Sequence, residues 1–158
     1  AYADLWRFLL DMDLVATVRA ERRSPAERLP SLLTNARAAQ MSDSGDGMWL
    51  RLLDVPRALE ARRYDRTASL VFEVVEGGAG SPTRLLLETS PDGATCVPTD
   101  RSADLALSVS ALSAAYLGGS RLRDAVLVHG TNEYRAGALA EADTLFRSDI
   151  LPWCSTGF

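Results

Sequence analysis

The chain ends Leu151-Pro152-Trp153-Cys154-Ser155-Thr156-Gly157-Phe158, and the group in it best suited to chemistry is the α-carboxylate carried by Phe158. A free chain end normally fades into small, polar residues. Here a proline stiffens the segment, Trp153 offers a large apolar face, and a second ring sits on the terminal residue itself. The pattern predicts a docked terminus with its charge delivered to a set place. With an ordinary pKa of roughly 3.3–3.7, the carboxylate is ionised at neutral pH and a weak base. A role in proton transfer calls for burial beside apolar rings that raise its basicity. The other reading of the same residues is an aromatic tail that packs a hydrophobic groove and leaves the carboxylate in water.

Other chemistry-bearing residues are sparse. His129 is the single histidine, so a metal site has no ligand set. Cys96 and Cys154 are too few for a disulfide framework and too far apart for a CxxC pair, which places the chain by default in a reducing cytoplasm. Nucleophile chemistry would need one of them to meet His129 through the fold. No serine sits in a nucleophile-elbow motif. The carboxylate pairs Glu141/Asp143 and Asp100/Asp104 read as solvated faces and caps. Gly45-Asp46-Gly47 and Gly77-Gly78-Ala79-Gly80 lack the strand-loop-helix context of a phosphate cradle and read as turns.

Among 158 residues, 47% are hydrophobic and 24% charged, values of a globular chain with no apolar run of about 20 residues to span a membrane. All 17 basic residues are arginine and the net charge is −4. That balance, without basic stripes interleaved with aromatics, argues against a nucleic-acid partner. Arg62, Arg63 and Arg66 form the densest basic cluster and read as a solvated helix end.

The elements that must position these groups follow from periodicity. Tyr2, Leu5, Trp6 and Leu9 recur at helical spacing from the first residues onward, with no initiating Met or signal peptide before them. The chain is expected to be the C-terminal part of something longer. Leu14–Val18 alternates as a strand, a short helical turn is expected over 31–39, and residues 42–47 are a strong loop signal read as the domain boundary. Beyond it, Met48–Leu53 reads as a strand. Asp54-Val55-Pro56 caps and starts a helix running to about Arg62. Residues 69–75 and 83–89 pair as a hairpin, followed by strands at 94–97 and 104–109. Ser110 caps a helix through Leu117 that Gly118-Gly119 stops, 122–128 is open between helix and strand, and a last helix begins near Arg135. The class is α+β or mixed α/β.

Several of these segments, in this order, resemble one family. They are Trp49-Leu50-Arg51-Leu52-Leu53-Asp54-Val55-Pro56 and its continuation to Tyr64, Cys96-Val97-Pro98-Thr99, Ala103-Asp104-Leu105, Tyr116-Leu117-Gly118-Gly119, Ala142-Asp143-Thr144-Leu145-Phe146, and Pro152-Trp153-Cys154 with terminal Phe158. Together they look like the C-terminal domain of Eis-type (enhanced intracellular survival) acetyltransferases. Ala1–Val18 is similar to the end of that family's second acetyltransferase-like domain.

The resemblance implies residues 1–46 as the remnant of a GNAT-like domain with its linker. It implies residues 47–158 as an α+β, sterol-carrier-protein-like domain with a mixed or antiparallel sheet covered by helices. It further implies a cytoplasmic acetyl-CoA-dependent N-acetyltransferase acting on an amine, a small molecule or a protein or peptide, and assembling as a homo-oligomer. Acetyl-CoA would lie on a catalytic domain outside this sequence, together with a tyrosine acting as general acid. The matching position, Phe158, would supply its carboxylate as general base, and the fragment alone would be inactive. Two alternatives stay open: a sterol-carrier-like module binding a lipid or acyl chain, and an oligomerisation scaffold.

Overall fold

A computed structural model describes residues 1–76 and 81–156. The chain divides into two compact units, Leu50–Ile150 and a smaller one made of Ala1–Trp49 with the tail from Leu151.

The larger unit is built on a five-stranded sheet. Its strands are β1 (Ala68–Val75), β2 (Thr83–Ser90), β3 (Gly93–Pro98), β4 (Leu105–Ser108) and β5 (Thr131–Glu133), in the spatial order β3-β2-β1-β4-β5. All neighbours are antiparallel except β1 and β4, which run parallel. The period-two alternation of β1 and β2 fixes one register: Leu70 faces Leu87 and Phe72 faces Leu85, while across the parallel seam Phe72 meets Leu105 and Val74 meets Leu107. These side chains form a single core with the buried faces of the helices.

Those helices are α2 (Val55–Ala61), α3 (Val109–Ala115), α4 (Leu122–His129) and α5 (Ala138–Phe146), α1 lying in the other unit. Phe146 of α5 meets Phe72 edge-on at 6.2 Å and Tyr64 at 6.3 Å. The expected α+β architecture, a mixed sheet covered by helices, is therefore what the chain adopts.

Local chemistry explains where elements start. Asp54 accepts a hydrogen bond from the Arg57 amide at 3.1 Å and Pro56 occupies the first turn of α2, as anticipated. The strand expected at 48–53 does not form: the Leu52 amide donates instead to Ser113 Oγ at 3.0 Å, and that hydroxyl donates onward to the Val109 carbonyl. The cap of α3 is Ser108, not Ser110, with its Oγ accepting from the Ala111 amide at 3.1 Å. The stretch 122–128 resolves as helix, and α5 starts after Gly137, whose φ of +85° is left-handed. The turn expected at 77–82 falls largely outside the described residues.

The smaller unit carries α1 (Tyr2–Leu10) and two 3₁₀ turns, Leu29–Leu32 and Ala36–Ala38. Arg23 lies over the rings of Tyr2 and Trp6 at 5.9 and 6.0 Å, and pairs with Glu27 at 2.6 Å. Tyr2 donates its hydroxyl to the same carboxylate. The strand expected at 14–18 is absent: Leu14 is left-handed at φ 61° and 99% exposed. Alternation without a partner strand leaves backbone amides to water and stabilises nothing.

Candidate functional site

The residue singled out for proton transfer, Phe158, lies outside the described residues. The tail before it is described to Thr156 and has no regular secondary structure. Trp153 is 47% exposed, whereas Cys154 is half-buried and sits against Gly47, where an added Cβ would come within 3.4 Å of the Cys154 Cβ. The Cys154 thiol donates to the Thr156 carbonyl at 3.1 Å.

The end of α5, inside the larger unit, is held by one arginine side chain. The Arg62 guanidinium donates from Nε to the Tyr116 carbonyl at 2.9 Å and from its two terminal nitrogens to the carbonyls of Leu145 (3.1 Å) and Phe146 (2.6 Å). Its central carbon lies 4.8 Å from the centre of the Tyr64 ring and 5.1 Å from that of Phe146. These are charge-assisted bonds to carbonyls that the end of α5 and the turn after α3 would otherwise leave orphaned. Arg62 is thus not the solvated helix end expected from the sequence, whereas its neighbours Arg63 and Arg66 are exposed. Three arginines in five positions look alike in a sequence; only the fold shows which one turns inward.

Gly118 closes the same junction from the other side. Its φ is +77°, and a Cβ there would fall 2.6 Å from the Ser148 Cβ and 2.8 Å from the Phe146 carbonyl oxygen. The expected helix stop is therefore also a close approach that only glycine permits. Ser148 donates its amide to the Gly118 carbonyl at 3.4 Å and its hydroxyl to that of Ile150 at 2.8 Å.

The remaining candidates separate. Cys96 faces the core opposite Leu87, and burial, aided by Glu60, pushes its thiol up to about 12. A thiol held protonated is a poor nucleophile. His129 is exposed at the end of α4. Asp143, read as solvated, is 3% exposed and joins α5 to the start of α4 through Arg123 (2.9 Å) and Arg121 (3.5 Å). Asp104 takes the Val71 amide at 2.8 Å and Arg135 at 2.6 Å, a structural clamp at the head of β4. Burial likewise drives the Tyr64 hydroxyl upward, against the opposing pull of Arg62, and it donates to the Leu59 carbonyl at 3.0 Å.

Clefts formed by the described residues of the larger unit include two of note. One, of about 470 Å³, is lined by Glu73, Pro82, Thr83, Arg84, Thr99 and Asp100 among others, and the other, of about 240 Å³, by Arg66, Thr67, Glu141 and Thr144 among others. The first is lined mainly by charged and hydroxyl side chains, and the second mixes polar groups with Ala68 and Leu145. Among the described residues no three His, Cys, Asp or Glu side chains converge as a metal site, and no helix is long and apolar enough to cross a membrane.

Residues 55–155 match the sterol carrier protein domain family, and residues 1–62 match an acetyltransferase (GNAT) domain family. Over 154 residues the chain is 47% identical to an uncharacterized N-acetyltransferase of Streptomyces griseus, covering 98% of this chain and 37% of that protein. It is 33% identical over 153 residues to the N-acetyltransferase Eis of Mycobacterium tuberculosis, covering 95% of this chain and 37% of that one. The crystal structure of Eis1 from Mycobacterium abscessus superposes with a TM-score of 0.81 at 33% identity, over 100% of this chain and 40% of that chain. The chain thus spans less than two fifths of the length of the curated relatives described here.

Proposed function

This chain belongs to the Eis-type GNAT N-acetyltransferases, its larger unit carrying their sterol carrier protein domain, and from that premise we propose that it is the cleft-shaping part of an acetyl-CoA-dependent N-acetyltransferase acting on amines. The observation that carries the reading is the pairing of the two family matches in one chain, GNAT-like residues first and sterol carrier domain second. We place the boundary between the two at 46/47, in the loop signal of residues 42–47.

Acetyl-CoA does not fit the residues present. Its diphosphate asks for a run of free amides at a helix start, but each helix of the larger unit already gives a first-turn amide to a side-chain oxygen: α2 to Asp54, α3 to Ser108, α4 to Asp143 and α5 to Glu133. The cofactor, which supplies the acetyl group when bound, is assigned to a catalytic GNAT domain elsewhere in the polypeptide.

The part left to this chain is the proton. An acceptor amine is largely protonated at neutral pH and must lose a proton to become nucleophilic. The Phe158 carboxylate takes that proton as general base, with the aromatic rings of the tail raising its basicity. The net charge of −4 favours the approach of cationic amines. Copies of the polypeptide associate as a homo-oligomer, which sedimentation would read as a mass above that of one chain.

The test is removal of Phe158 from a polypeptide carrying this chain and a catalytic GNAT domain, assayed on aliphatic diamines, amino sugars and short peptides. Turnover should fall about 10²- to 10⁴-fold with an unchanged unfolding midpoint. Undiminished turnover in the folded variant would end the general-base assignment.

A further inference from the structure

We propose that Glu60 guards the long free edge of the sheet, occupying the backbone amide through which a second copy of this chain would otherwise add its own β3. Among the described residues the sheet ends on β3 at one side and β5 at the other. An edge strand offers unpaired amides and carbonyls to any extended chain, and brevity is one protection against that. Strand β5 has three residues. Strand β3 has six and exposes the β-branched Thr95 and Val97, residue types that favour pairing.

The register fixes which groups of β3 look outward. Leu87 lies opposite Cys96 and Leu85 opposite Pro98, and the Thr99 amide donates to the Arg84 carbonyl at 3.1 Å. Alternation along an antiparallel pair then turns the backbone groups of Thr95, Val97 and Thr99 toward β2 and those of Ala94, Cys96 and Pro98 away from it. Pro98 has no N–H, so the outward donors are the amides of Ala94 and Cys96. This edge is complementary to itself: about a two-fold axis at Cys96, each Cys96 amide would donate to the other's carbonyl, and each Ala94 amide to the Pro98 carbonyl of the second copy.

A carboxylate closes that register. Glu60 Oε1 accepts from the Cys96 amide at 3.0 Å and so takes the central donor. The neighbouring Leu59 has no exposed surface, and its carbonyl accepts the Tyr64 hydroxyl at 3.0 Å, which anchors the last turn of α2 beside the edge. Glu60 itself is exposed. An incoming strand would have to break a charge-assisted bond and take the carboxylate out of water.

The experiment is sedimentation of this chain and its variants over a concentration series, with unfolding midpoints to show that each is folded. Neither the acetyltransferase reading nor the native assembly proposed above enters, since each variant is compared with the wild-type mass. Glu60→Ala should associate as concentration rises, toward about twice the wild-type mass. Glu60→Gln, whose amide oxygen still accepts, should keep the wild-type mass. Adding Ala94→Pro to Glu60→Ala removes the other outward donor and should restore the wild-type mass. A folded Glu60→Ala variant of unchanged mass, equal association of Glu60→Gln, or association that survives Ala94→Pro overturns the guard. Should either substitution prevent folding, Glu60→Asp, too short to reach the amide, and Val97→Lys on the exposed face take their places with the same readings.

Discussion

In residues 50–150 the apolar side chains turn inward; in residues 1–49 they turn outward. Leu59, Leu70, Phe72, Leu87 and Leu112 have no exposed surface at all, and one cluster joins four helices to one face of the sheet. Helix α1, by contrast, has no buried residue, and Leu5 and Phe8 are each about two-thirds exposed. The helix is as clearly amphipathic as any in the molecule, yet among the described residues its apolar stripe has little to cover it. Amphipathicity therefore forms the element in both units, but among the described residues only the larger unit supplies its own opposing surface.

The contrast can be broken most directly by truncating one aromatic in each unit. Phe72→Ala should cost about 3–5 kcal/mol in urea unfolding, as a cavity in a filled core does, whereas Phe8→Ala in this chain should stay within about 0.5 kcal/mol. Comparable losses at both sites would abolish the distinction. A loss above about 2 kcal/mol for Phe8→Ala in a longer polypeptide, where burial brings penalties of that size, would show that another segment covers α1.

A second, smaller effect sharpens the comparison through pH. The buried Cys96 thiol, pushed up to about 12 from the 9 of a free thiol, stays protonated in the folded state where the unfolded chain has already lost the proton. Its contribution is fully present below pH 9 and is lost as pH rises toward 12. The urea midpoint of the larger unit should fall over that window, and Cys96→Ala should reduce the slope of that fall, leaving the part due to Tyr64, which is raised in the same direction. Thiol-directed reagents at pH 8 should label Cys154, in the smaller unit, well before Cys96.

What could be read from the residues alone was whatever has a short-range cause. The alternation of 69–75 and 83–89 specified the hairpin, Asp54 with Pro56 specified a helix start, and Gly118 specified a stop. Several misreadings involve a distant partner, whereas the α3 cap, at Ser108 and not Ser110, is a local slip of two residues. Met48–Leu53 reads as a strand, but Ser113, sixty-one positions from Leu52, takes the Leu52 amide. Strand β5 is Thr131-Asn132-Glu133, three polar residues that become a strand only because β4 offers them an edge. Asp143 looked solvated, but two arginines at the start of α4, twenty or more positions earlier, pair with it. The Arg62 junction was invisible for the same reason, since its acceptors are backbone carbonyls that any sequence would carry.

The parallel pairing of β1 with β4 has a consequence for how the larger unit comes together. Strands β1, β2 and β3 form a meander whose contacts are local, and residues 104–150 hold the remaining two strands and three helices. Within the sheet these halves meet only along the β1/β4 seam. Local meanders close early and distant parallel pairs late, so zipping of that seam is the natural rate-limiting event. Two peptides divided between Pro98 and Asp104 would then be candidates for reassembling the body by complementation.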